Sequence, residues 1–225
     1  VNDITLSKAF DNGMICASEQ AVILEEPIYA QALEEFKALH AHVATPEQKD
    51  LLEQFIFGVT ATGSNCGEAK LNAAVVGKTP HWIAQQAGFE IDEETSIILV
   101  EVSEVGPSEP LTREKLCPVL AVLKATDAEH GIPPSEQMVE VDGLRTSGAI
   151  PSEHLAVIEE FGSRVKAVRI ITNAPSSLGG IGDIYNAFIP SLTLGCGSYG
   201  HNSVSNNVSA VNLVNIKRIG RRNNN

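Results

Sequence analysis

Phe10-Asp11-Asn12-Gly13-Met14-Ile15-Cys16-Ala17-Ser18-Glu19-Gln20, running on through Ala21-Val22-Ile23-Leu24, is the stretch from which the fold is read. Gly13 permits a sharp backbone turn, and the small residues Ala17 and Ser18 leave room over the Cys16 sulfur. The β-rich run from Gln20 to Leu24 ties that turn to a sheet. Such a turn presents one thiol at the end of a strand, with backbone N–H groups close by. The residues alone leave two readings open: a nucleophile, or a small buried hydrophobe like most free cysteines.

Outward from this stretch, helix and strand signals alternate. Pro27 opens a helix that carries Ile28, Ala32, Phe36, Leu39 and Val43 at helical spacing. Thr45 and Gln48 form a capping-box pair around Pro46, and Leu51, Leu52 and Phe55 line one side of the helix behind it. Thr79-Pro80 opens a third helix, which Gly88 ends. Residues 96–102, 116–123 and 165–172 read as strands. Ser152 caps a helix with Leu155, Ile158 and Phe161, stopped by Gly162. Helices between apolar strands predict an α/β fold with a mostly parallel sheet flanked by helices. Residues 173–207 shift to Gly, Ser, Asn and Pro, an aperiodic stretch of a length that is usually functional or interfacial. Residues 212–219 read as a last strand.

The 225 residues carry a formal net charge of −12, which argues against nucleic acid as a partner. Lys217, Arg218, Arg221 and Arg222 read as a solvated tail. With 43% apolar residues the chain has material for a core. The four cysteines, Cys16, Cys66, Cys117 and Cys196, are far apart, fitting neither a zinc site nor a disulfide scaffold. No apolar run is long enough to span a bilayer and no signal peptide opens the sequence, so the cytoplasm is the expected setting, with no membrane partner. None of His40, His42, His81, His130, His154 or His201 has metal-ligand spacing with carboxylates, so no metal site is expected. Gly195-Cys196-Gly197-Ser198-Tyr199-Gly200 satisfies G-x-G-x-x-G, but a poor helix follows it and no acid-tipped strand comes after, so it fails as a dinucleotide fingerprint.

Four segments occur in order: Ser7-Lys8-Ala9-Phe10 through Cys16 to Gln20; Arg113-Glu114-Lys115-Leu116-Cys117-Pro118-Val119; Pro175-Ser176-Ser177-Leu178-Gly179-Gly180-Ile181-Gly182-Asp183; and Pro190-Ser191-Leu192-Thr193-Leu194 through Gly200. Together they resemble the CoA-acylating aldehyde dehydrogenases, most of all the aldehyde dehydrogenase half of the bifunctional aldehyde–alcohol dehydrogenases. The resemblance covers nearly the whole chain. It implies a catalytic subdomain of aldehyde dehydrogenase type over residues 1–207 and a C-terminal arm, an oligomerisation strand, over 208–225. It implies Cys16 as the nucleophile, Glu114 as a contact to the nicotinamide ribose, and Gly195, Cys196 and Gly197 as a loop lining the acyl/CoA channel. Cys117 stands where the wider pattern has glycine. The substrates implied are acyl-CoA, acetyl-CoA first, and aldehyde, with NAD(H) and CoA as co-substrates and a homo-oligomeric assembly.

Neither end reads as a natural domain terminus. The expectation is therefore an excised piece without its nucleotide-binding half, inactive in hydride transfer alone. At the position of the family's histidine the chain has Thr146 or, in the other register, Arg145. A second reading, of another class, is an assembly module acting through its C-terminal arm. A thiol redox protein is a weaker third, since no resolving cysteine lies near Cys16.

Overall fold

β1 (Ala21–Glu25), the run behind Cys16, pairs in parallel with β4 (Val119–Ala125), Ala21 lying opposite Ala121 and Glu25 opposite Ala125. The other side of β4 takes β3 (Ile98–Glu101), and β3 takes the short β2 (His42–Val43), so the sheet order is β1-β4-β3-β2, all parallel. A smaller parallel sheet joins β5 (Ser147–Ile150) to β6 (Arg169–Thr172). The computed structural model describes residues 1–60, 69–141, 144, 146–192, 195–205 and 207–223. Cys66, Gly143, Arg145, Thr193 and Leu194 lie outside the described residues.

β4 is apolar at nearly every position because both of its faces are covered. Val119, Ala121 and Leu123 pack with Leu52 and Ile56 of α3 (Pro46–Phe57) and Ile83 and Ala84 of α4 (Pro80–Ala87). Leu120 and Val122 face the other way, onto Ala32 and Phe36 of α2 (Glu26–Ala38). Burying a side chain such as Phe36 contributes roughly 1.5–3 kcal/mol, so this two-sided packing holds the large sheet in place. A third cluster, with Ile132, Val139 and Phe161, packs α5 (Ala128–Glu140) and α6 (Leu155–Arg164) beside the small sheet.

Three helix starts are where the sequence placed them, but α2 ends at Ala38, leaving Leu39 outside it and Val43 in β2, and the helix read as capped by Ser152 has His154 at its N-cap. Pro27 lies in the first turn of α2. Thr45 and Gln48 close a full capping box on α3. Thr79 caps α4, and Gly88 ends it in the left-handed conformation at φ 100°. Other expectations are corrected. The strand expected from residue 116 starts at Val119, because Leu116 adopts φ 48° and breaks the extended run. Gly162 does not stop α6, which continues to Arg164, where the guanidinium bridges Glu160 at 2.8 Å and Glu136 at 2.6 Å. The glycines of 179–180 belong to a short helix, α7 (Ser176–Ile181), inside the stretch 173–207 that reads as aperiodic. Residues 212–219 form no strand; Ala210–Leu213 is a 3-10 turn capped by Ser209 and Asn212, and Leu213, Val214, Ile216 and Ile219 are exposed.

Candidate active site

α1 (Asn2–Ala9) leads into the Cys16 segment and gives way to Asp11, Asn12 and Gly13, all left-handed, at φ 52°, 49° and 69°. Asp, Asn and Gly are the residues that tolerate this region, so the sequence itself encodes the reversal. Gly13 has a second reason to lack a side chain, since a Cβ there would lie 2.6 Å from the Cys117 carbonyl oxygen. Ser18 N–H then closes a turn onto the Ile15 carbonyl at 2.9 Å, and Cys16 is exposed at its tip. Among the described residues the Cys16 N–H meets no acceptor.

The turn is held from several sides. The Asn12 amide donates to Gly77 O at 3.1 Å, and Gly77 N–H donates to Leu116 O at 3.1 Å. Lys115 is fully buried, and its ammonium donates to the carbonyls of Gln20 at 2.9 Å, Leu111 at 2.6 Å and Arg113 at 3.0 Å. The Gln20 side chain accepts from Lys115 N–H at 3.1 Å. From the opposite side, Ser7 is latched to α7: its hydroxyl meets Ser177 Oγ at 2.9 Å and accepts from Ser177 N–H at 2.8 Å. Ser177 Oγ donates to Ser7 O at 3.1 Å, and Ser176 N–H donates to Glu19 Oε1 at 3.2 Å. Three of the four sequence segments thus converge on one turn.

Cys16 opens onto a cavity of about 430 Å³ between β1 and α5 on one side and β5 on the other. Ser18, Glu19, Gln20, Met138, Gly148 and Asn173 are among its lining. Among the described residues the charged side chains in that lining are all carboxylates, with no His, Lys or Arg. Two buried groups behind the turn were not foreseen. The Lys8 ammonium is fully buried with no hydrogen-bond partner among the described residues, and burial pushes its pKa down to about 8 despite the nearby Cys117, Glu19 and Glu114. Burial raises the Glu19 carboxyl above the usual carboxylate range, against hydrogen bonds from Ser7 and Ser176. No apolar periodicity marks either residue; only the three-residue spacing from Cys16 could have drawn attention to Glu19.

The other expected site residues lie elsewhere. Glu114 is half-buried on the connection before β4, acts electrostatically on Lys8, and is absent from the cavity lining. Gly195, Cys196 and Gly197 are also absent from it. Cys196 donates to Leu144 O at 3.0 Å, and Cβ atoms added at Gly197 and Gly195 would meet Val168 at 2.6 Å and Val204 O at 2.9 Å. These glycines permit close approach to the protein's own chain. Thr146 is buried next to Ser147, the first cavity residue of β5. Among the described residues no cluster of His, Cys, Asp and Glu could hold a metal, and no helix is long and apolar enough to cross a membrane.

Parallel α/β packing around a turn-borne thiol defines the class: the chain has the fold of the acetylating aldehyde dehydrogenases, superposing with a TM-score of 0.84 on the acetylating aldehyde dehydrogenase of Geobacillus thermoglucosidasius, 35% identical, over 98% of this chain and 48% of that one. Its sequence is 58% identical over 224 residues to the aldehyde-alcohol dehydrogenase of Streptococcus pneumoniae, and 38% identical over 226 residues to the bifunctional aldehyde-alcohol dehydrogenase of Escherichia coli. These alignments take in 100% and 99% of this chain but 25% and 24% of the relatives, so the chain spans about a quarter of their length. Over its whole length the chain is thus similar to one part of the aldehyde-alcohol dehydrogenases, with the fold of an acetylating aldehyde dehydrogenase. No protein-family model matches it.

Proposed function

We propose that this chain carries the acyl-accepting half of a CoA-acylating aldehyde dehydrogenase reaction, with Cys16 as nucleophile and acetyl-CoA as the first substrate to test. The observation that carries this reading is the convergence of segments 7–20, 113–119 and 175–181 on the single exposed turn that presents Cys16 to a cavity. The Cys16 thiol gives up its proton as its sulfur adds to the thioester carbonyl carbon, and the C–S bond to CoA then breaks. The acyl group is left as a thioester on Cys16, and the departing CoA sulfur takes up the proton that the thiol released. The Cys16 N–H, without an acceptor among the described residues, is suited to receive the developing oxyanion.

The full reaction of such enzymes also takes NAD(H). Among the described residues the cavity lining has no Lys, Arg or His side chain for a pyrophosphate, and Glu114, the one carboxylate matched to a ribose contact, lies outside it. The residues present fit the thioester end of the chemistry and not the dinucleotide, which would come with a nucleotide-binding part. The cytoplasm, where CoA thioesters are made and used, is the setting this function fits.

The test is release of CoA thiol after mixing the chain with acetyl-CoA, in the absence of nicotinamide. A burst stoichiometric with protein, lost in Cys16→Ser, is expected. No burst from a folded chain overturns the reading. A second reading, assembly into homo-oligomers, is favoured by the exposed Val208, Val211, Leu213, Val214, Ile216 and Ile219. Light scattering before and after deletion of residues 208–225 tests it; an unchanged mass rejects the arm as an oligomerisation element.

A further inference from the structure

Acylation of Cys16 requires a place for the thiol proton, and among the described residues the cavity lining has no histidine. The position the family fills with histidine is Thr146 or Arg145, the first a hydroxyl and the second outside the described residues. The lining does contain the carboxyls of Asp3, Glu19, Glu25, Asp127 and Glu153. Glu25, Asp127 and Glu153 are exposed, and Asp127 is paired with His130 at 2.8 Å. Glu19 differs from them in three respects. It directly follows the Ile15–Ser18 turn that presents Cys16. Its Oε1 is fixed by Ser176 N–H at 3.2 Å. Its Oε2 is buried and has no hydrogen-bond partner among the described residues.

Resting on the reading of Cys16 as the acyl-accepting thiol, we propose that Glu19 is the proton carrier of this site, its free Oε2 taking the thiol proton and returning it to the departing sulfur. As the Cys16 sulfur bonds to the acyl carbon, its proton passes to Glu19. As the carbon–sulfur bond to CoA breaks, the proton passes from Glu19 to the CoA sulfur. One thioester replaces another and nothing is oxidised or reduced. The groups facing Glu19 suit this task. Ser7 and Lys8 lie against it from α1, and Ser176 caps it from α7. Cys117, Glu114 and Lys115 stand behind Lys8 on the connection before β4. The carboxyl's raised pKa brings it nearer to a thiol's range, where proton exchange is less uphill, and the Lys8 ammonium compensates the charge when Glu19 ionises.

The test uses the 225-residue chain and two reactions of Cys16, followed against pH: acetylation by acetyl-CoA, and alkylation by iodoacetamide, which needs only the thiolate. Glu19→Gln keeps an oxygen for Ser176 N–H, so the latch and the fold are retained. It is expected to slow acetylation by roughly 100-fold or more near neutral pH, the size of general acid–base assistance, and to flatten its pH dependence. Alkylation at high pH, where the thiolate forms unaided, is expected to match the parent, and Glu19→Asp to recover part of the lost acetylation rate. Acetylation profiles that coincide in parent and Glu19→Gln overturn the proposal and leave Cys16 as the nucleophile. Equal slowing of both reactions at every pH also overturns it, because it marks a structural role. An unmutated chain that is alkylated at Cys16 yet never acetylated overturns the reading of the function, and the proton carrier with it.

Discussion

Lys8 is the residue whose predicted effect on stability depends on pH. Its folded-state pKa of about 8 lies below the ordinary 10.5 because burial penalises the ammonium. Below pH 8 both folded and unfolded chains carry the charge, and folding bears the full cost, roughly 3 kcal/mol at about 1.4 kcal/mol per tenfold. Between pH 8 and 10.5 the folded chain releases the proton while the unfolded chain keeps it, so the cost is relieved as pH rises. Lys8→Met, of similar volume, is expected to raise the urea midpoint at pH 7 by the equivalent of roughly 2–3 kcal/mol, with the gain shrinking above pH 8. A gain that does not depend on pH would contradict the assignment. Gly13 is the opposite case. Alanine there meets both φ 69° and a backbone carbonyl at 2.6 Å, so Gly13→Ala is expected to cost roughly 2–4 kcal/mol in denaturant unfolding and to change the alkylation rate of Cys16. Gly13 was legible in the sequence as a turn residue. Lys8 was not, because its burial follows from how α1 packs and not from anything periodic in its neighbours.

At the scale of elements, the Cys16 turn depends on the connection before β4, to which it does not belong. The Lys115 ammonium satisfies three carbonyls, one of them Gln20 at the head of β1. Hydrogen bonds to a charged donor contribute roughly 1.5–3 kcal/mol each, and removing the donor strands buried acceptors. Lys115→Met is therefore expected to lower stability by at least about 3 kcal/mol in urea titration and to loosen Cys16, read as faster hydrogen exchange over residues 15–20. The helices with local punctuation were legible: Pro27, the Thr45 and Gln48 box, and Thr79 with Gly88 each act within a turn or two of the helix they mark. Elements that depend on tertiary partners were not. α5 contains Pro133 and Pro134, which argue locally against a helix, yet Ile132 and Val139 bury against Phe161 and decide it. β5 reads as a loop until β6 pairs with it. α7 reads as a glycine loop until Ser177 is latched to Ser7 across 170 positions of sequence.

At the scale of the whole molecule, the parallel sheet and its two apolar faces place Cys16 in the cleft between β1 and β5. Ordered segments far apart in sequence meet there, which is why their order along the chain was a better guide to the site than any one of them. The loop at 195–197 lies outside that cavity lining, with its glycines packed against Val168 and Val204. On the proposed function, this architecture selects one thiol among the four. The direct measurement is peptide-level mass spectrometry after exposure of the chain to acetyl-CoA. A hydroxylamine-sensitive acetyl group is expected on the Cys16 peptide and none on those of Cys66, Cys117 or Cys196. Acetylation of Cys196 instead, or of no cysteine while Cys16 remains open to alkylation, would contradict that function.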